Sequence, residues 1–130
     1  MIGYGTYHQP PGTWSDDTSL TLALMEHLGE KSNLSILMDK FVAYREGYLT
    51  PFGYCFDIGI ATNEAIEIYL SGILPEACGG KDERYNGNGA LMRISPLVFL
   101  LIKMSNLVEQ VELIKKYTRL THGHPRSIAA

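Results

Sequence analysis

The 130-residue chain has two cysteines, one tryptophan, no run of Lys and Arg and no long apolar stretch. Cys55 and Cys78 lie far apart and outside any CxxC pair, which excludes a disulfide framework and a thiolate zinc site. They read as free thiols in a reducing cytoplasm. Eleven Lys and Arg against 14 Asp and Glu give a net charge of -3. Without a basic stripe, a nucleic-acid partner is not expected. The longest apolar run, Leu97 to Ile102, is too short to span a bilayer, so no membrane partner is expected either. The start, Met1 to Gly5, lacks the basic lead and apolar core of a signal peptide. No apolar–polar alternation survives beyond four residues, which removes strands as an organising element.

What is present is helical periodicity, with apolar content of 45%. Residues 1 to 14, rich in glycine and proline, read as an irregular lead-in. A first helix starts near Asp16 and runs to about Gly29, with Leu20, Ala23, Leu24, His27 and Leu28 on one face. A second spans Asn33 to Arg45, with Leu34, Leu37, Met38, Phe41 and Val42 as its stripe. A third runs from about Ile58 to Ser71, capped by Asp57, with Ala61, Ala65, Ile68 and Tyr69 inward. Residues 72 to 89 read as a long surface loop. The fourth opens at Asn88-Gly89-Ala90, is apolar nearly all round to Met104, and is expected to be buried and central, kinked or split at Pro96. A fifth begins at Asn106, with Glu109 completing a capping-box-like pair and Val108, Val111, Leu113, Ile114 and Tyr117 on its apolar side. Pro125 fits the first position of a sixth. The chain therefore reads as one all-α domain over 1–130, a helical bundle with long functional loops.

Three stretches carry polar groups suited to chemistry. In Gly12-Thr13-Trp14-Ser15-Asp16-Asp17-Thr18, a hydroxyl and two carboxylates meet a helix N-terminus. Ser15 fits a cap and the acids suit the macrodipole, which is an ordinary helix start. The same oxygens at a helix end also suit a magnesium or manganese ion, provided enough carboxylates reverse the local field. Asn86-Gly87-Asn88-Gly89 is either a plain turn or a backbone cradle for phosphate, with Arg93 one turn on and free to pair with phosphate, Asp82 or Glu83. His122 and His124 flank Gly123 before a helix start, either as structural groups or as ligand contacts; zinc is excluded for want of further ligands.

Taken in order, Gly12-Thr13-Trp14-Ser15-Asp16-Asp17-Thr18, Phe56-Asp57-Ile58-Gly59, Gly87-Asn88-Gly89-Ala90-Leu91-Met92-Arg93 and Thr121-His122-Gly123-His124-Pro125 resemble the ADP-ribosylglycohydrolase family. The resemblance implies an orthogonal all-helical bundle with a binuclear magnesium or manganese centre. It implies a hydrolase that removes ADP-ribose from modified side chains, with an ADP-ribosylated protein or an ADP-ribose-containing small molecule as partner. It makes Ser15, Asp16 and Asp17 metal ligands, and Asp16, Asp17 and Asp57 the catalytic acids. Asp57 would hold the ribose beside the scissile bond, Asn86, Gly87, Asn88 and Gly89 the diphosphate or ribose hydroxyls, and His122 the same cleft. The family's earlier acidic ligand and its late Asp-x-Asp-Thr group have no counterpart in this sequence. The chain is thus expected to be the middle of a family member, with N- and C-terminal parts missing and little activity alone. The alternative is a non-catalytic ADP-ribose-binding or structural relative. An all-round apolar fourth helix also predicts an exposed apolar patch, self-association or poor solubility.

Overall fold

The computed structural model describes residues 3–130. Residues 1 and 2, part of the expected lead-in over 1–14 and of the segment Met1 to Gly5 without signal-peptide character, lie outside the described residues. Six α-helices follow: α1 (Asp16–Glu30), α2 (Leu34–Arg45), α3 (Ile60–Leu70), α4 (Val98–Leu101), α5 (Leu107–Thr118) and α6 (Pro125–Ala129). Short 3₁₀ turns lie at Pro75–Ala77, Glu83–Tyr85 and Ser95–Leu97. No strand forms among the described residues; Gly80 and His122 make an isolated bridge.

The core is the seam between α1 and α2. Leu20, Ala23 and Leu24 of α1 recur at three- and four-residue spacing and are buried, as are Leu37, Met38 and Phe41 of α2. His27 completes the α1 stripe, with Ser32 Oγ 2.8 Å from its Nδ1 and Tyr117 Oη 2.9 Å from its Nε2. Both of its ring nitrogens are engaged, so it is a core histidine. Glycine does not end α1; Lys31 closes it in the left-handed region at φ 52°. Asn33 caps α2 by accepting from the Ile36 N–H at 3.1 Å.

Sequence expectations for three helices are corrected. Asp57 does not cap α3: Gly59 holds the cap position and the helix opens at Ile60. Its inward face is Thr62, Ala65 and Ile66, while Ile68 is exposed, so the buried stripe is rotated from the one read off the pattern. The fourth helix is not a buried central rod. Residues 88 to 93 coil as turns, Pro96 sits in a 3₁₀ turn, and α4 is four residues long. Proline has no N–H to continue a ladder and clashes with the preceding turn, so the run breaks there. Val98, Phe99 and Ile102 are exposed, Ile102 at 72%. On α5, Val108 and Val111 are likewise exposed and only Tyr117 and Thr118 are buried. Several large apolar side chains of α4 and α5 thus lie at the surface.

The 72–89 segment is also more than a surface loop. Pro75, Cys78, Gly79 and Tyr85 are buried. Gly79 donates to Arg119 O at 2.9 Å, and Gly123 donates to Gly80 O at 2.9 Å. A Cβ on Gly79 would lie 2.3 Å from Arg119 O, so only glycine permits this approach. These bonds lash the Asn-Gly turn's lead segment to the His-Gly-His turn.

Candidate active site

Ser15 occupies the cap position of α1, but its hydroxyl does not cap. It donates to Asp16 Oδ1 at 3.2 Å, and the Asp17 N–H donates to the same oxygen at 3.0 Å. The N-terminus of α1 is held by the loop that follows α2. Leu49 O accepts from Ser19 Oγ at 2.9 Å and from Trp14 Nε1 at 3.1 Å. Asp16 is consequently buried and Asp17 is exposed. Burial pushes the Asp16 carboxyl above its ordinary range, and the charges of Asp57 and Asp17 push the same way.

Asp16, Asn88, Gly89, Thr62 and His122 line one cavity of about 200 Å³. Gly87 and Asn88 also line a neighbouring cavity of about 310 Å³ with Asn86 and Arg126. On the other side, Ser15 and Asp57 line a cavity of about 530 Å³ with Tyr7 and Phe56. Gly87 and Asn88 are shared by the first two hollows, and Ser15 of the third adjoins Asp16 of the first in sequence. Asp57 lies beside Tyr7 and raises that hydroxyl above its ordinary value. The Asp57 backbone oxygen accepts from Tyr44 Oη and from Cys55 Sγ, which pins the 55–57 segment.

The Asn-Gly turn and the first histidine meet closely. A Cβ on Gly89 would lie 2.9 Å from His122 Cε1 and 3.5 Å from Thr62 Oγ1. His122 is 2% exposed. Burial, then the charge of Arg93, pull its imidazole down to about 4, so it is neutral at pH 7. The Thr62 hydroxyl, fully buried, has no hydrogen-bond partner. An orphaned buried hydroxyl on a cavity wall is a place for a ligand or water oxygen.

The expected residues divide. Asp16, Gly87, Asn88, Gly89 and His122 share one cavity, and Ser15 and Asp57 line its neighbour. Asp17 lines neither. Asn86 is turned toward α6, its Oδ1 accepting from Ser127 Oγ at 3.0 Å. His124 leaves the cleft and caps α6, its Nδ1 accepting from the Arg126 N–H at 3.2 Å. Arg93 pairs with neither Asp82 nor Glu83. It is fully buried and donates to Tyr117 O at 3.1 Å and Thr121 Oγ1 at 2.8 Å, while Glu83 meets Arg126 at 3.5 Å. Sequence reading missed Thr62 and Thr121. A hydroxyl on the apolar Thr62–Ala65–Ile66 face was the available signal for the first.

Hard oxygens from Ser15, Asp16 and Asp57, with charges that raise Asp16, suit one edge of a magnesium or manganese site. Among the described residues, no three Asp, Glu, His or Cys side chains converge to complete a metal site.

A family description, ADP-ribosylglycohydrolase, matches residues 1–130. An ADP-ribosylarginine hydrolase of Serratia proteamaculans is 32% identical over the whole chain and 36% of its own length. An ADP-ribosyl-[dinitrogen reductase] glycohydrolase of Rhodospirillum rubrum is 28% identical over the whole chain and 42% of its own length. A solved structure titled as an ADP-ribosylglycohydrolase-related protein complex superposes with a TM-score of 0.72 at 34% identity, over 99% of this chain and 40% of that one. The chain spans well under half of these relatives. Over that span it belongs to the ADP-ribosylglycohydrolase family.

Proposed function

We propose that this chain supplies the ADP-ribose-binding half of a hydrolase that removes ADP-ribose from modified protein side chains, ADP-ribosyl-arginine or a close relative. The observation that carries the reading is the convergence of Asp16, the Asn88-Gly89 turn, the orphaned Thr62 hydroxyl and neutral His122 on one cavity. The further hollows lined by Ser15 and Asp57 and by Asn86 to Asn88 offer room for a ligand longer than one ribose. The ribose beside the scissile bond lies between Asp16 and Asp57, and the diphosphate runs past Asn88 toward Arg126. Glycines at 87 and 89 let phosphate or hydroxyl oxygens reach the backbone.

Ser15, Asp16 and Asp57 would hold magnesium or manganese, two ions when the shell is complete. Such an ion supplies Lewis acidity toward the ribose hydroxyls and the attacking water. In hydrolysis, water adds its oxygen to the anomeric carbon as the bond to the side-chain nitrogen or oxygen breaks. A carboxylate, Asp16 or Asp57, takes the water's proton, which returns to the departing side chain. The reading places the reaction in the cytoplasm, supported by two free thiols.

The chain alone is expected to bind ADP-ribose with little turnover, because the described acids do not close a metal shell. Calorimetry with ADP-ribose and magnesium, beside release of ADP-ribose from ADP-ribosyl-arginine, tests this. Heat that vanishes in Asp16→Ala supports the hydrolase site. Heat that survives Asp16→Ala favours a binding relative without catalysis. No heat from the wild-type chain refutes both.

A further inference from the structure

Arg93 is fully buried, yet no ion pair reaches it among the described residues. Its charged head lies 5.0 Å from the centre of the Phe41 ring, and Nε and Nη1 have no partner. Nη2 alone is bonded, to Tyr117 O and to Thr121 Oγ1. Thr121 Oγ1 in turn stands 2.8 Å from His122 Nδ1. Thr121 is fully buried, so its hydroxyl proton has to be used inside the protein.

Donor and acceptor roles then follow from chemistry. A guanidinium only donates, so Thr121 Oγ1 accepts from Arg93. The other partner of Thr121 Oγ1 is His122 Nδ1. If Nδ1 carried the proton, the threonine hydroxyl would have nowhere to donate. If Nδ1 is bare, it accepts the threonine proton and the Arg93–Thr121–His122 relay is satisfied. The other ring nitrogen faces the Asn-Gly turn: Nε2 lies 3.3 Å from where a Cβ of Gly89 would sit and 3.9 Å from that of Gly87.

We propose that Arg93 and Thr121 are positioning residues that lock His122 in the neutral Nε2–H form, so that the imidazole donates a hydrogen bond to an oxygen of the ligand at the Gly87–Gly89 turn. The identity of that oxygen, a ribose hydroxyl or a phosphate of ADP-ribose, rests on the function proposed above. The lock itself does not. Arg93 contributes twice: it orients the threonine hydroxyl, and its fixed charge opposes a second proton on the ring.

Imidazole ¹⁵N NMR of the ligand-free protein reads the tautomer directly. The expected spectrum has a protonated Nε2 and a bare Nδ1 on His122. Thr121→Val keeps the shape and removes the donor; it is expected to mix the two tautomers and weaken ADP-ribose binding about five- to tenfold. Thr121→Ser keeps the hydroxyl and is expected to restore both. A wild-type ring protonated at Nδ1, or an unchanged tautomer in Thr121→Val, overturns the proposal. Should Thr121→Val not fold, the wild-type and Thr121→Ser spectra still decide. A wild-type Nε2–H ring with no heat on adding ADP-ribose would sink the functional reading and leave the lock standing.

Discussion

Gly89→Ala is the substitution whose effect the geometry defines most sharply. The backbone at Gly89 is not in the left-handed region, so alanine meets no backbone strain. The new methyl would lie 2.9 Å from His122 Cε1 and 3.3 Å from its Nε2. His122 cannot retreat: it is 2% exposed, its Nδ1 is tied to Thr121, and its N–H donates to Thr118 O at 2.9 Å. Overpacking of this kind costs about 1–3 kcal/mol. Lost freedom in the unfolded chain returns about 0.4–1 kcal/mol. The net is a destabilisation of about 1–2 kcal/mol, or a Tm about 4–8 °C lower for a chain of this size. Gly87→Ala is the comparison: its methyl would meet His122 Nε2 at an ordinary 3.9 Å, in an exposed position. It should be neutral or slightly stabilising. Urea and thermal unfolding of the pair measure the difference. Equal stability of the two variants would mean that the imidazole does not pack on Gly89, and the cavity as described would be wrong.

Three further outcomes are expected. Asp16→Asn should raise the Tm of the metal-free protein at neutral pH, because it removes a buried charge repelled by Asp57 and Asp17 while keeping an acceptor for the Asp17 N–H. Millimolar magnesium should then raise the Tm of the wild type and not of the variant, which differential scanning fluorimetry reads. His122 has its folded value pulled down from 6.5 to about 4, so the unfolded chain takes up the proton first; stability is lost as pH falls from about 6.5 toward about 4. The loss is on the order of 3 kcal/mol across that window, and urea midpoints for His122→Gln should fall less. Phe99 and Ile102, at 63% and 72% exposure, should drive self-association, so Phe99→Lys with Ile102→Lys should elute smaller on size exclusion than the wild type while the heat of ADP-ribose binding is unchanged.

The sequence by itself determined the helices that close their own hydrogen bonds. Residues at three- and four-residue spacing, an Asn cap at 33 and Pro125 at a first turn are local instructions, and α1, α2 and α6 stand close to where they specify. It also singled out polar stretches at helix ends, where hydroxyls, carboxylates and Asn-Gly turns have local capping and turning roles. Only the tertiary structure decided which of those groups meet. Asp16 and Asp17 are neighbours in sequence, yet about 100° of helical turn sends one into the cavity and the other to solvent. His122 and His124 part for a similar reason: backbone bonds from the 72–89 segment seat the first against Gly89 and leave the second to cap α6. The apolar run after Ala90 could not reveal its own exposure, because hydropathy records what a residue prefers and not what is near enough to cover it. Arg93 shows the converse, a charge held inside because Tyr117 and Thr121, more than twenty residues along the chain, come close enough to accept its protons.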